Sequence, residues 1–450
     1  MKVLYLDLDT LRADHLGCYG YPRRTSPNID RFAREGTLFE SFFGPTTPTI
    51  PAHTTIFSGQ LGATHGVVSH GSDLSHLPLD APWLPAILKR AGVLTAAIDN
   101  LIDFKPWFGR GWTEIYNPTH KKPSGQLVTA DEINAYLLPW IRQHTEGDWF
   151  MFAHYWDPHT PYKPPDEYKE THYQGNSNDP SNTSLEPWRN EILWPVQEKW
   201  LVPMYGSVTD RDYIRSLYDG EITYLDDRLG QVFDLLEDLG IAEETVVIVA
   251  ADHGEIMYEH RGWFAHVGLY DEIMRVPLIV RGPGTVRGQK IPQTFQHIDL
   301  APTILSLFGV TVPEAMDGVS LAPALRGEPV EGYDAIYLTE ATVQIKWGIR
   351  TPDWKLIKVI DPGVTQIDED ELYNLVDDPG EQRNLATEHP DVKDRLELQL
   401  RRWWDAKLGN RTDMLRAQAT AGIPAREWLS LALRSRDLSY EEWMQKQRYI

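Results

Sequence analysis

The chain has a single cysteine in 450 residues. One thiol excludes an intramolecular disulfide, and the shortage points to a reducing compartment, so a cytoplasmic protein is expected. Long apolar runs are missing as well. None approaches the roughly 18–20 uncharged residues that span a bilayer, and Met1-Lys2-Val3-Leu4-Tyr5-Leu6-Asp7 reads as a strand rather than a signal peptide. Positive charge is scarce: 43 Lys and Arg stand against 65 Asp and Glu, a formal net charge of −22. Such a surface argues against a broad grip on nucleic acid or anionic membrane. An anionic substrate would need a locally positive site, for example a metal ion. No internal repeat is evident. What remains is ordinary globular composition, 42% hydrophobic and 24% charged.

Short β-branched runs alternate with helical patterns over residues 1–330. Val3 to Leu8, Val93 to Ile98, Trp149 to Tyr155, Thr245 to Ala251 and Val276 to Arg281 read as strands. Pro27 to Glu35 (with Ser26 as N-cap), Trp83 to Ala91, Thr129 to Arg142 and a long amphipathic stretch from Ile214 to Leu236 read as helices. Alternation of this kind predicts an α/β fold with a mostly parallel sheet between helices. Residues 164–208, rich in Pro, Asn, Ser and Trp, break the pattern and read as a lid or specificity insertion. Residues 331–408 hold short strands and then a helix from Asp391 to Leu408, which predicts a smaller C-terminal antiparallel subdomain. Residues 409–450 read as a helical tail that docks on the core or on a second subunit, so a homo-oligomer through these helices is allowed.

Four segments carry chemistry. In Thr46-Thr47-Pro48-Thr49-Ile50-Pro51-Ala52-His53 a hydroxyl precedes a helix opening near Pro51. Free N–H groups and the dipole there suit attack on an anionic group; the plainer reading makes Thr49 an N-cap. Asp252-His253-Gly254-Glu255 follows an apolar strand, at the carboxyl end where α/β sheets build sites. Asp7 and Asp9 share a strand face; at most one need be a metal ligand, the other being a structural carboxylate. His154-Tyr155-Trp156-Asp157-Pro158-His159 and the segment around His266 add imidazoles in rigid or aromatic surroundings. Cys18 has no flanking base and does not read as a nucleophile.

Taken in order, these segments resemble the sulfatase family of the alkaline phosphatase superfamily. The likeness includes Leu8-Asp9-Thr10-Leu11-Arg12, Ser26-Pro27-Asn28, the Thr49 segment, Asp157-Pro158-His159, Asp252-His253-Gly254-Glu255, Arg275-Val276-Pro277 and Glu371-Leu372-Tyr373-Asn374. It implies a metal-dependent ester hydrolase. One departure stands out. Active sulfatases oxidise a Cys or Ser in Cys-x-Pro-Ser-Arg to formylglycine, whose hydrate is the nucleophile. Here Thr49-Ile50-Pro51-Ala52-His53 holds those places, and threonine cannot yield the formyl group. His53 replaces the arginine, and His266 sits where a sulfate-binding lysine is expected. A threonine nucleophile resembles instead the nucleotide pyrophosphatase/phosphodiesterase and phosphonoacetate hydrolase branches of the superfamily.

A formylglycine hydrate ejects sulfate by collapsing to the aldehyde. A threonine ester has no such exit and needs a second attack at the central atom, which phosphorus accepts in metallohydrolases. The expected substrate is therefore a small anionic ester: a phosphate diester, a phosphate monoester or a phosphonate ester. The alternatives are a sulfuric ester hydrolase working without formylglycine and an inactive relative acting as a binding protein. The resemblance implies Thr49 as nucleophile, with His53, His159 and His266 as further catalytic groups, and one divalent ion on Asp9, Thr49, Asp252 and His253. Mixed oxygen and imidazole ligands favour Zn²⁺ or Mn²⁺ over Ca²⁺. A second ion on Asp157, His159 and His266 is left open.

Overall fold

A computed structural model describes residues 1–119, 127–434 and 442. In chain order its strands are β1 (Lys2–Leu8), β2 (Thr37–Phe43), β3 (Thr46–Thr47), β4 (Leu94–Ile98), β5 (Glu114–Tyr116), β6 (Trp149–Tyr155), β7 (Thr245–Ala250), β8 (Leu278–Arg281), β9 (Gln289–Gln296), β10 (Ile336–Glu340), β11 (Ile345–Arg350), β12 (Trp354–Asp361) and β13 (Glu371–Asn374). The larger sheet has eight strands in the order β5-β4-β6-β1-β7-β8-β2-β9. Its middle is parallel, with β4, β6, β1 and β7 side by side. β8 runs antiparallel to both β7 and β2, which makes the sheet mixed towards one edge. Val3, Leu4, Tyr5, Leu6 and Leu8 are all buried. A strand covered on both faces shows no alternation, which is why β1 and β7 read as unbroken apolar runs.

Three strands of the larger sheet lie outside the sequence expectation. β9 carries Lys290, Pro292 and several glutamines on the sheet edge, where proline and polar side chains are tolerated. β2 and β5 likewise gave no alternation to find. β8 begins at Leu278 and not at Val276, because Pro277 cannot donate to the ladder.

The helices that matter here are α1 (Pro27–Glu35), α2 (Thr49–Ser58), α3 (Ala130–Gln143), α4 (Arg211–Asp238), α5 (Pro390–Leu408) and α6 (Pro424–Arg434). Ser26 does not cap α1. Its hydroxyl accepts from Gly17 N–H and donates to Asp30. The cap comes from across the fold: the Asp226 carboxylate on α4 accepts from Asn28 N–H at 2.9 Å and Ile29 N–H at 2.7 Å. Thr129 and Glu132 close a reciprocal capping box on α3. Every residue of α2 is buried, as expected of a helix at the centre of a fold.

The smaller sheet runs β13-β12-β11-β10-β3 and is antiparallel except for β3, which pairs parallel with β10 through Thr46 and Thr47. This two-residue strand leads directly into α2, so the smaller sheet grips the approach to Thr49. Leu396, Leu400 and Trp404 of α5 are buried at helical spacing against it, and Trp404 meets Trp347 edge-on at 5.7 Å.

Residues 164–208 are not bare loop. They form the helices Asp166–Lys169, Glu186–Arg189 and Trp194–Tyr205. Trp188 is buried, its indole N–H donates to Gln197 at 2.6 Å, and Gln197 donates to the Trp263 carbonyl at 2.9 Å. The insertion is thus tied to the segment that carries His266. In the tail, α6 docks on its own chain: Ala425 N–H donates to the Thr342 carbonyl, and Trp428 and Leu429 pack with the core of the smaller sheet. The remainder of the expected tail, residues 435–441 and 443–450, lies outside the described residues.

His65, just past α2, is buried and neutral. Its Nδ1 accepts from Val67 N–H at 3.0 Å, so Nε2–H is the donor to Thr55 Oγ1, also at 3.0 Å. Burial pushes its pKa down to about 3. A proton is then bound more readily by the unfolded chain. The associated stability is fully present above the unfolded value of about 6.5 and is lost as pH falls towards 3. At pH 4.5 the loss from this residue is on the order of a few kcal/mol. His65→Gln keeps a polar amide without a titration. Urea unfolding at pH 7 and 4.5 should show a smaller drop in this variant than in the wild type; equal drops would contradict the assignment.

Candidate active site

Parallel pairing of β1 with β6 and β7 sets Asp7 opposite His154 on one side and Ala250 on the other. The carboxyl ends of the three strands therefore share one rim, and the residues just beyond them meet: Asp9 after β1, Asp252 and His253 after β7, His154 at the end of β6. α2 points its N-terminus at this rim. Thr49 is the first helical residue, following Pro48 in extended conformation, so it is not the N-cap. Its Oγ1 lies 3.3 Å from His253 Nε2.

Asp9 and Asp252 are fully buried. Asp252 Oδ1 accepts from Thr10 N–H at 3.3 Å and His253 N–H at 2.8 Å, while Asp252 Oδ2 and Asp9 Oδ1 have no hydrogen-bond donor. His253 Nε2 is 3.3 Å from Asp252 Oδ2 and 3.9 Å from Asp9 Oδ1. Its Nδ1–H donates to the Gly254 carbonyl at 3.0 Å, which leaves the Nε2 lone pair free. Burial holds His253 well below its ordinary pKa, hence neutral. Burial and the neighbouring Asp9 hold Asp252 well above the usual carboxylate range. Donor atoms of Asp9, Asp252 and His253 lie within 4.8 Å of one another. Two orphaned buried carboxylate oxygens facing a free imidazole lone pair are costly without a cation and fit one well. Thr10, between these groups, has φ +59°, a left-handed conformation unfavourable to a β-branched residue. Tyr218 OH holds it by donating to the Thr10 carbonyl at 2.9 Å and accepting from Arg12 N–H at 2.9 Å.

Asp7 is the structural carboxylate of the pair. It accepts from Tyr5 OH at 2.8 Å and contacts His53 Nε2 at 2.7 Å. His53 Nδ1 lies 2.8 Å from the Thr49 carbonyl. Burial opposes a charge on His53, but Asp7 outweighs it and holds the pKa up at about 9. Both ring nitrogens face acceptors and the side chain is fully buried, so His53 positions Thr49 and is out of reach of a substrate. It does not contact the reacting atoms as the sequence expectation had it.

A second cationic imidazole was missed from sequence. His154 Nδ1 is 2.9 Å from Asp99 and Nε2 is 3.2 Å from Asp9. Burial opposes its charge, and the two carboxylates hold its pKa well above the ordinary value. Its place at the end of β6, beside the strand that carries Asp7 and Asp9, was the available signal.

The outer wall carries His159 and His266, whose rings lie 5.0 Å apart, with His266 4.8 Å from the His253 ring. Glu255 stands behind His266. It is fully buried, neither of its oxygens has a hydrogen-bond donor, and Oε1 is 3.5 Å from His266 Nδ1. Burial works against a proton on His266, but Glu255 more than offsets it and raises the pKa; His159, lacking such a partner, is lowered by burial. The two histidines are thereby shifted in opposite directions, His266 towards the protonated form and His159 towards the neutral one. Glu255 was visible within the Asp252-His253-Gly254-Glu255 motif, yet its pairing with His266 was not.

Asp157, expected with His159 and His266 at a second ion, is buried beside Glu221 of α4; burial raises its carboxyl to about 6 and Glu221 well above its ordinary value. Among the described residues the three form no metal-binding group. Burial and the neighbouring Asp30 push the Cys18 thiol well up, which disfavours the thiolate.

Comparison with known proteins identifies the family. The sulfatase family model matches residues 2–310, and that of the N-sulphoglucosamine sulphohydrolase C-terminal region matches residues 259–405. An N-acetylglucosamine-6-O-sulfatase of Bacteroides thetaiotaomicron is 25% identical over 88% of this chain and 84% of its own. A choline-sulfatase of Rhizobium meliloti is 24% identical over 80% of this chain and 77% of its own. Among solved structures, the phosphonate monoester hydrolase of Silicibacter pomeroyi superposes with a TM-score of 0.73 at 21% identity, covering 91% of this chain and 96% of that one. With a family match across more than half its length and a fold shared from end to end, the chain belongs to the sulfatase family and is a hydrolase.

Proposed function

We propose that this enzyme hydrolyses phosphate or phosphonate esters through the unmodified hydroxyl of Thr49. One observation carries the reading: at the helix N-terminus, where the family's active members bear formylglycine, a threonine Oγ1 lies 3.3 Å from His253 Nε2, beside the unpartnered carboxylate oxygens of Asp9 and Asp252. A divalent cation held by those residues and the Thr49 oxygen would lower the hydroxyl pKa and draw charge from the substrate's oxygens.

The chain's own groups supply the rest. Thr49, attacking as its alkoxide, forms the bond to phosphorus in line as the bond to the leaving oxygen breaks, and it is released again as alkoxide in the second step; first-turn N–H groups of α2 face the equatorial oxygens. His53, anchored by Asp7, holds the Thr49 carbonyl and with it the start of the helix. His266, kept protonated by Glu255, gives its proton to the departing oxygen and then takes one from the water that cleaves the Thr49 ester. His159, neutral beside it, orients the leaving group. The rim beyond His159 is aromatic: Trp156 lies 5.5 Å from the His159 ring, and Phe104 6.2 Å from Trp156. An aryl or otherwise flat leaving group suits it.

The names of the relatives favour a second reading, a sulfuric ester hydrolase working through unmodified Thr49. Solved structures of both kinds share the fold, a complex with D-glucosamine-2-N,6-O-disulfate at a TM-score of 0.75 and phosphonate monoester hydrolases at 0.73 and 0.71, so the first reading rests on Thr49. Side-by-side assays with p-nitrophenyl phosphate, bis-p-nitrophenyl phosphate, p-nitrophenyl phenylphosphonate and p-nitrophenyl sulfate, with Mn²⁺ or Zn²⁺ added, separate them. The best phosphorus ester should exceed the sulfate in kcat/KM by about 100-fold, roughly 2.7 kcal/mol in transition-state binding. A sulfate ester that is turned over best would overturn the proposal.

Glu255→Gln leaves His266 without its counter-charge. The pH above which kcat falls should drop, and kcat at pH 8 should fall by about 10- to 100-fold with KM little changed. A pH profile identical to the wild type would remove Glu255 from this role.

A further inference from the structure

A second convergence of donors lies where the His266-bearing segment meets the smaller sheet. His260, Glu272 and Glu381 each offer one donor atom, and these atoms lie within 4.8 Å of one another. They come from separate places: the turn Glu259–Arg261, the short helix Asp271–Met274 and the turn after β13. His260 Nε2 and Glu272 Oε2 are buried without a hydrogen-bond partner, and Glu381 Oε1 is buried with Lys355 as its one neighbouring cation. The side chains of His260 and Glu381 are 5% and 0% exposed. His260 Nε2 stands 3.4 Å from Glu272 Oε2, matching the roughly 3.4 Å separation of two ligands bound tetrahedrally at ~2.1 Å.

The backbone is bent to make this arrangement. His260 has φ +51°, Arg261 +59° and Glu381 +54°, none of them glycine. Residues in this region persist where surrounding structure imposes them, and they concentrate at functional sites. The His260 ring lies flat on Tyr270, 3.7 Å away and 3° from parallel, which fixes the direction of Nε2. Lys355 Nζ approaches Glu381 Oε1 at 2.7 Å, but that ammonium is shared with Asp271 Oδ1 at 2.5 Å and the Leu269 carbonyl at 3.0 Å. A cleft of about 520 Å³, lined by His260, Tyr270, Glu371 and Glu381 and by Glu191 and Gln197 of the insertion, gives access.

We propose that His260, Glu272 and Glu381 bind a divalent cation of the zinc–manganese class, separate from the seat at Asp9, Asp252 and His253. One imidazole nitrogen with two carboxylate oxygens is the donor mix that suits such ions. His266 lies midway in sequence between His260 and Glu272. The cation therefore pins both ends of the segment that carries it and fastens that segment to the smaller sheet, with Lys355 keeping Asp271 and Leu269 as partners.

Metal content after dialysis against Zn²⁺ and desalting tests this. The His260→Ala/Glu272→Gln protein should hold one equivalent less than the wild type, with an unchanged circular dichroism spectrum. Equal stoichiometry would overturn the proposal. The Asp252→Asn/His253→Ala protein reports on the other seat: if that reading alone is wrong it keeps the wild-type content, while the His260 variant still loses one equivalent. A variant that fails to fold is replaced by a different readout. In metal-free Asp252→Asn/His253→Ala protein, Zn²⁺ should slow tryptic cleavage after Arg261, whose side chain is 70% exposed, by about 10-fold or more, in the manner of a ligand that stabilises only the closed form. A cleavage rate indifferent to Zn²⁺ would contradict the site.

Discussion

Thr49→Ala should lower kcat by about 10⁴-fold or more on every substrate the enzyme accepts, since it removes the attacking atom itself. The variant should remain folded, because Thr49 is at the first helical position and α2 keeps its contacts on all sides. It should also keep its cation, since Asp9, Asp252 and His253 still converge. Thr49→Ser restores the hydroxyl without the methyl and should return kcat to within about 10-fold of the wild type. Measured together, turnover and metal content distinguish a lost nucleophile from a lost metal seat. Thr49→Ala turnover close to that of the wild type would show that water attacks directly.

Asp252→Asn should separate activity from stability. Asp9 and Asp252 are both buried, their carboxylates face each other across His253, and Asp7 adds a further negative charge within Coulombic reach. Without a cation this is a strained cluster, and neutralising one member relieves it. The metal-free variant should therefore melt a few degrees above the metal-free wild type, a change of about 1–2 kcal/mol. With Mn²⁺ or Zn²⁺ present the order should reverse, because only the wild type gains binding free energy from the ion. Turnover should fall by roughly 10³-fold. Differential scanning calorimetry with chelator and with metal checks the reversal; a variant less stable under both conditions would mean that Asp252 serves packing and not an ion.

These expectations rest on parts of the sequence that were legible for a physical reason. β1 and β7 are buried on both faces, so their apolar runs were unbroken and their ends were marked by Asp9 and by Asp252 and His253. A carboxylate at the tip of such a strand has few explanations besides a ligand or a buried ion pair. Parallel pairing then brought the tips together. The groups that were not legible depend on partners far away in the chain. Asp157 is buried beside Glu221, 64 positions later, a neighbour that no periodicity announces. His53 looked like a catalytic group until Asp7 was seen to hold its outer nitrogen. Asp226 took the capping role that local sequence assigned to Ser26. β3 is too short to produce a pattern, yet it is the contact through which the smaller sheet fixes the entry to α2. Side-chain pairing across long sequence separations set the fine structure of the site, while strand burial set its location.

The stereochemical course at phosphorus tests the Thr49 mechanism most directly. A phosphate diester or phosphonate ester made chiral with oxygen isotopes, turned over in isotopically labelled water and analysed by phosphorus NMR, should give product of retained configuration, because attack by Thr49 and then by water inverts the centre twice. Inverted product would mean a single displacement by water and would contradict a threonine nucleophile.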